Sequence, residues 1–219
     1  AVAGAAGGAT TAVASGAGSL AEALTTAGLP AGVLNMVVGD GAVGEALVAH
    51  PAIDAITFTG STGVGRRIAA TAAARGVPVQ AEMGGKNAAV VLDDADFDLA
   101  LDQVMLGAFR STGQKCTATS RLIVTDPIAD RFVQALTDRA AALAVGAPSA
   151  DAPQMGPVIS DAAQAGITAG IRAAVAQGGS VLTGGGPYAE GLLAEGYFIA
   201  PTVVELTQPA DIWTEELFG

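Results

Sequence analysis

Two side chains in this sequence have the types needed for covalent acyl chemistry: Cys116, in Gly113-Gln114-Lys115-Cys116-Thr117, and Glu82, ahead of Met83-Gly84-Gly85-Lys86. A lone cysteine is most often a small buried hydrophobe. This one follows a Gly-Gln turn after a long amphipathic stretch, with Lys115 beside it. Such a loop can expose sulfur, and an adjacent cation favours the thiolate, which is the nucleophilic form. An isolated Glu is ordinarily a solvated carboxylate. Glu82, however, ends a strand-like run and precedes paired glycines that allow close backbone approach, so it could face a cleft. Partial burial there would raise its pKa and make it a better base toward water.

A third segment, Gly60-Ser61-Thr62-Gly63-Val64-Gly65, has its glycines as G-x-x-G-x-G, not the dinucleotide fingerprint G-x-G-x-x-G. It still reads as a strand entering a helix, with Ser61 and Thr62 able to cap it. The amides of such a helix start can hold a pyrophosphate. An ordinary strand-to-helix turn explains the same residues equally well. His50, the single histidine, precedes Pro51 and reads as a surface or helix C-terminal residue. One Cys and one His cannot make a usual zinc site, so no metal is expected. Asp93, Asp94 and Asp96 read as helix-start residues.

The elements around these residues alternate. Leu20 to Ala27, Val43 to Ala49 and the stretch from Gly60 to Ala74 read as helices. Val33 to Val38, Ile53 to Phe58, Pro78 to Met83 and Ala88 to Leu92 read as strands. Phe97, Ala100, Leu101, Val104, Met105 and Ala108 share one helix face. Beyond them come a strand at Arg121 to Val124, helices at Ile128 to Leu143 and Ala162 to Ala176, a glycine-rich connector at Gly178 to Gly186, and a strand at Phe198 to Leu206. This alternation predicts an α/β fold. A shift in composition near Gly84-Gly85 divides it into domains 1–83 and 84–219.

Composition narrows the class. With 51% apolar and 14% charged residues, the 219-residue chain can bury a core. A formal charge of −11 argues against nucleic acid as a partner, because phosphate contacts need clustered Lys and Arg. No apolar run of roughly 18 residues suggests a membrane span. Ala1 to Leu20 has no basic start, so it does not read as a signal peptide. One cysteine excludes an intrachain disulfide, which makes a reducing, cytoplasmic setting the default expectation. The opening Ala1 and the motif-like ending Glu215-Glu216-Leu217-Phe218-Gly219 suggest an internal fragment.

Together, Phe58-Thr59-Gly60-Ser61-Thr62-Gly63-Val64-Gly65, Glu82-Met83-Gly84-Gly85-Lys86-Asn87, Gly113-Gln114-Lys115-Cys116 and Glu215-Glu216-Leu217-Phe218-Gly219 resemble the aldehyde dehydrogenase superfamily. Their order matches, as does the separation of Glu82 from Cys116 by 34 positions (116 − 82). The likeness runs from about Leu24 to Gly219. It implies part of a Rossmann-type cofactor domain followed by an α/β catalytic domain, truncated at both ends. It implies NAD or NADP as cofactor, an aldehyde as substrate and a homo-oligomer at full length.

By the same resemblance, Cys116 attacks the aldehyde carbonyl and its backbone amide supplies half of an oxyanion hole, while Glu82 activates the water that releases the acid. Gly60, Ser61 and Gly65 form the pyrophosphate turn. Glu216 binds the nicotinamide ribose, and Phe218 packs near that ring. Within the superfamily, Gly113 to Arg121 and Met83 to Ala89 look closest to 2-oxoglutarate semialdehyde (2,5-dioxovalerate) dehydrogenases.

Two departures stand against full function. The upstream Pro-Trp-Asn that completes the family's oxyanion hole is missing, and Ala1 to Ser19 contains no ribose-binding Lys. The alternatives are therefore a chain inactive by itself or a catalytically silent remnant of the fold. A cofactor-free cysteine hydrolase is disfavoured because no suitably placed His accompanies Cys116.

Overall fold

The computed structural model describes residues 2–5, 10–148 and 153–219. The chain separates into two compact units, Ala1–Met83 and Gly84–Gly219. The first is built from β1 (Val2–Ala5), α1 (Thr10–Thr26), β2 (Asn35–Val38), α2 (Gly41–Ala49), β3 (Ile56–Gly60), α3 (Thr62–Ala74) and β4 (Val79–Met83). Strands β1 and β2 pair in parallel, as do β3 and β4. Each parallel pair is joined through a helix, because parallel strands cannot be linked by a tight turn.

Local chemistry sets the element ends in this unit. Gly28 takes φ +93, in the left-handed region that glycine enters without cost, and stops α1. The Asp40 carboxylate accepts from the amides of Ala42 and Val43 and caps α2. His50 is the C-terminal cap of α2, and its Nδ1 accepts from the Ala52 amide at 3.2 Å. At the end of α3, the Arg75 guanidinium donates to the carbonyls of Val48, His50 and Ile53. That one planar fork ties α3 to the connection between α2 and β3.

The second unit holds β5 (Asn87–Val91), α4 (Phe97–Phe109), a 3₁₀ turn (Arg110–Gly113), β6 (Thr119–Val124), α5 (Asp126–Ala141), α6 (Asp161–Ala176), β7 (Ser180–Thr183) and β8 (Val203–Glu205). Strands β5 and β6 are parallel; β7 and β8 are antiparallel. Asp96 caps α4, accepting from the Leu99 amide at 3.1 Å. Pro sits in the first turn of α5, where its missing N–H breaks no intrahelical bond. The core joins Val91, Leu101, Val104, Phe132 and Leu136. Phe97 meets Phe132 edge to face at 5.3 Å between centroids, and the Arg131 guanidinium lies 4.0 Å above the Phe97 ring.

Phe132 is fully buried at the centre of that core. Phe132→Ala should therefore cost this unit about 3–5 kcal/mol, the range for deleting an enclosed aromatic ring. Urea unfolding followed by far-UV circular dichroism checks it; a loss below about 1 kcal/mol would mean the ring is not a keystone of the core.

Several elements differ from those read in the sequence. Helix α1 begins at Thr10, ten positions ahead of Leu20, although residues 1 and 6–9 of that opening segment lie outside the described ones. The glycine-rich connector contains β7, and the strand expected over Phe198 to Leu206 contracts to β8, with Ile199 in an isolated bridge to Pro187. The strand expected at Ile53 starts at Ile56, after His50 and Ile53 have given their carbonyls to Arg75. Among the described residues, no helix is long and apolar enough to cross a membrane.

Candidate active site

In the first unit, β3 delivers Gly60 and Ser61 to the start of α3. Ser61 is the N-cap, its hydroxyl accepting from the Val64 amide at 3.4 Å. Gly63 is exposed, with open space where a Cβ would stand. Capped first-turn amides under open space fit an anionic group such as a pyrophosphate. Gly60 and Gly65 have a different physical reason to be glycine. A Cβ on Gly60 would collide with the Phe58 ring, and one on the buried Gly65 would collide with the Met83 side chain. Gly60 leaves room for the Phe58 ring of its own strand, and the buried Gly65 lets α3 approach β3 and β4 closely.

Strand β4 alternates, and Glu82 is on its exposed side, in register with Thr59 of β3. The partial burial expected for this carboxylate is not found within its unit. Period-two alternation explains this: Met83 turns inward to fill the space beside Gly65, which sends its neighbour outward.

In the second unit, Cys116 is exposed on the loop between the 3₁₀ turn and β6. The approach to it is unusual: Ser111 and Thr112 both take φ 58 and Gly113 takes φ 66. Consecutive left-handed residues cost non-glycine side chains energy, so the surroundings must hold them. Buried Thr112 donates to the Gly156 carbonyl at 3.3 Å. Gln114 donates to the Pro157 carbonyl at 3.4 Å and accepts from the Ile159 amide at 2.8 Å. From the other side, Asn87 Nδ2 donates to the Cys116 carbonyl at 2.7 Å and to the Ala118 carbonyl at 3.0 Å. The loop is thus anchored on two flanks.

Glu216 and Phe218 belong to the same unit. The Glu216 carboxylate accepts from the Gly85 amide at 3.3 Å and lies so close to Gly84 that any side chain there would collide with it. Leu217 packs into the core of Val158, Ile167, Ile171 and Ile199, while Phe218 is exposed. Arg121 donates to the carbonyls of Lys86 (2.8 Å) and Trp213 (3.1 Å), joining the glycine pair to the Glu216 segment. A cavity of about 540 Å³ is lined by Gly85, Lys86, Lys115, Arg121 and Glu216, among others. Among the described residues no group of three His, Cys, Asp or Glu could hold a metal ion. Asn87, Thr112 and Arg121 are functional candidates to which sequence reasoning gave no role: Asn87 and Arg121 lie inside the motif stretches and Thr112 directly precedes one, but their partners are distant in the chain.

Burial, and then the charge of Arg121, pushes the Lys86 ammonium below the ordinary 10.5, against an upward pull from Glu216. The unfolded chain therefore holds this proton to higher pH than the folded chain. Stability should rise with pH through the interval that ends near 10.5; below that interval Lys86 gives no pH dependence, because the cost of its buried charge is already present in full. Urea midpoints taken from about pH 8 to about pH 10.5 should climb in the parent relative to Lys86→Met; parallel curves would remove the effect.

Residues 9–219 match the model of the aldehyde dehydrogenase family. The alpha-ketoglutaric semialdehyde dehydrogenase of Bacillus subtilis is 44% identical over 195 residues, covering 88% of this chain and 40% of that protein. A betaine aldehyde dehydrogenase of Rhizobium johnstonii is 41% identical over 205 residues, 93% of this chain and 42% of that protein. Among solved structures, the betaine aldehyde dehydrogenase of Staphylococcus aureus in complex with NAD+ superposes with a TM-score of 0.88 at 35% identity, covering 92% of this chain and 40% of that one.

These matches join an α/β architecture to a cysteine loop and a capped glycine turn. The chain belongs to the aldehyde dehydrogenase family. It spans about two fifths of the length of these relatives.

Proposed function

We propose that this chain supplies the nucleophile, the base and part of the cofactor site of an NAD(P)-dependent aldehyde dehydrogenase. The observation that carries the reading is an exposed Cys116 on a doubly anchored loop, in a chain that matches the family over residues 9–219. Residues 1–83 form the end of the cofactor domain and residues 84–219 part of the catalytic domain. Aldehyde oxidation to a carboxylic acid is the reaction, and 2-oxoglutarate semialdehyde is the substrate we favour, in keeping with the Bacillus subtilis relative. A homo-oligomer in a reducing, cytoplasmic setting belongs to the same reading.

In this mechanism the Cys116 thiolate adds to the aldehyde carbon, forming a C–S bond and an oxyanion. The backbone amide of Cys116 donates to that oxyanion, a position where a fixed dipole acts most strongly on the transition state. When bound, NAD(P) accepts the hydride lost from that carbon. The bond that remains is a thioester to Cys116. Glu82 takes a proton from water, the hydroxide adds to the thioester carbon, and the C–S bond breaks to release the acid and the thiolate. Ser61 and the first amides of α3 hold the pyrophosphate, Glu216 binds the nicotinamide ribose and Phe218 covers the ring.

Glu216 accepts from Gly85 through Oε1, and an ionised carboxylate has further lone pairs with which to accept from ribose hydroxyls. The lack of a Lys in residues 1–19 favours a second reading, a catalytically silent form of the fold.

The test is absorbance at 340 nm in the longest polypeptide that contains these residues, with 2-oxoglutarate semialdehyde and betaine aldehyde, each with NAD+ and NADP+. Production of reduced cofactor supports dehydrogenation, and faster turnover of the semialdehyde supports the substrate. No reduction with any pairing leaves the silent form.

A further inference from the structure

The Asn87 carboxamide reaches from the start of β5 to the main chain of the nucleophile itself. Its Nδ2 donates to the Cys116 carbonyl at 2.7 Å and the Ala118 carbonyl at 3.0 Å, using both of its hydrogens. The position is set by an irregularity in the sheet: the β5–β6 register shifts between Asn87 and Ala88, so Asn87 faces Thr119 while Ala88 faces Arg121, leaving Ser120 as the extra residue. A bulge of this kind bends the strand and re-aims its side chains. Ser120 then donates to the Asn87 carbonyl at 3.3 Å, closing the bulge from the other side. Asn87 Oδ1 faces Gly85, lying 3.8 Å from where a Cβ on that glycine would be. A flipped amide would set that oxygen against two carbonyl oxygens, so the donor orientation is the one the chemistry allows.

We propose that Asn87 is a positioning residue for Cys116: it fixes the nucleophile's main chain, and with it the direction of the sulfur and of the oxyanion-binding amide, without touching the reacting atoms. This rests on the catalytic reading of Cys116 given above. Asp is nearly isosteric with Asn but, when ionised, only accepts, so it would repel both carbonyls. Ala simply removes the clamp. Ser, Thr or Gly could not span the same two acceptors, which is why the residue type matters here.

The experiment measures Asn87→Ala and Asn87→Asp in the longest polypeptide containing this chain, by steady-state kinetics and by hydrogen exchange with mass spectrometry. The expected result is a fall in kcat of about 10- to 100-fold, as a displacement near 1 Å would produce. Asp should be the more damaging, and KM for the nicotinamide cofactor should stay within about twofold of the parent. Exchange should quicken in the peptide covering residues 113–119 and stay unchanged in α4, α5 and α6. Unchanged kcat in both variants, or faster exchange spread through those helices, would overturn the proposal. If the parent makes no reduced cofactor, the catalytic reading fails, and exchange confined to 113–119 still decides whether Asn87 holds the loop.

Discussion

Cys116→Ala is expected to lower dehydrogenase turnover by on the order of 10⁴-fold or more, to the level of the uncatalysed assay. Alanine keeps the loop's backbone and so its anchors at Asn87, Gln114 and Thr112, all of which bond through atoms other than the sulfur. Loss of the nucleophile is thereby separated from loss of the loop. The second unit should unfold at a nearly unchanged urea concentration, because Cys116 is exposed. Retained turnover within about tenfold of the parent would assign the chemistry to another group. Parallel loss of turnover and stability would mean that sulfur matters for the fold instead.

The second large effect concerns Glu82. Glu82→Gln keeps the shape and hydrogen-bonding capacity of the side chain but removes its basicity at any accessible pH. In the proposed mechanism thioester formation does not use that base, and hydrolysis does. The variant should therefore release one equivalent of reduced cofactor in a rapid burst, followed by a steady rate about 10²- to 10⁴-fold slower than the parent. Stopped-flow absorbance resolves the two phases. A variant that loses the burst as well would place Glu82 in the first half of the reaction, as the group that ionises Cys116. Full steady turnover would remove it from the chemistry.

Much of the fold could be read locally. Caps are short-range, so the Ser61 and Asp96 helix starts, the Gly28 stop and the His50 ending follow from residue type and position. The face of Phe97, Leu101 and Val104 is set by the 3.6-residue period alone. Helix α1 was hidden because Thr10 to Ser19 is made of Ala, Gly, Ser, Thr and Val, small residues that draw no apolar stripe. Strand β7 was hidden by the glycines around it, which read as a connector until its pairing with β8 is known.

The candidate site divides in the same way. The motifs marked Cys116, Glu82 and Ser61 because each sits in a distinctive short string. What holds Cys116 in place comes from far along the chain: Asn87 is 29 positions away and Ile159 is 45 from Gln114. No periodicity or composition carries such contacts. The exposure of Glu82 was likewise invisible, since it depends on Met83 filling the space at Gly65.

A transient acyl bond on sulfur underlies the whole account, and rapid quenching reads it most directly. Glu82→Gln in the longest polypeptide containing this chain is mixed with aldehyde and oxidised cofactor, quenched in acid during the steady phase, digested and mass-mapped. The account predicts that most of the peptide bearing Cys116 carries the mass of the acyl group, and that hydroxylamine removes it. An unmodified Cys116 peptide while reduced cofactor is still being formed would contradict it.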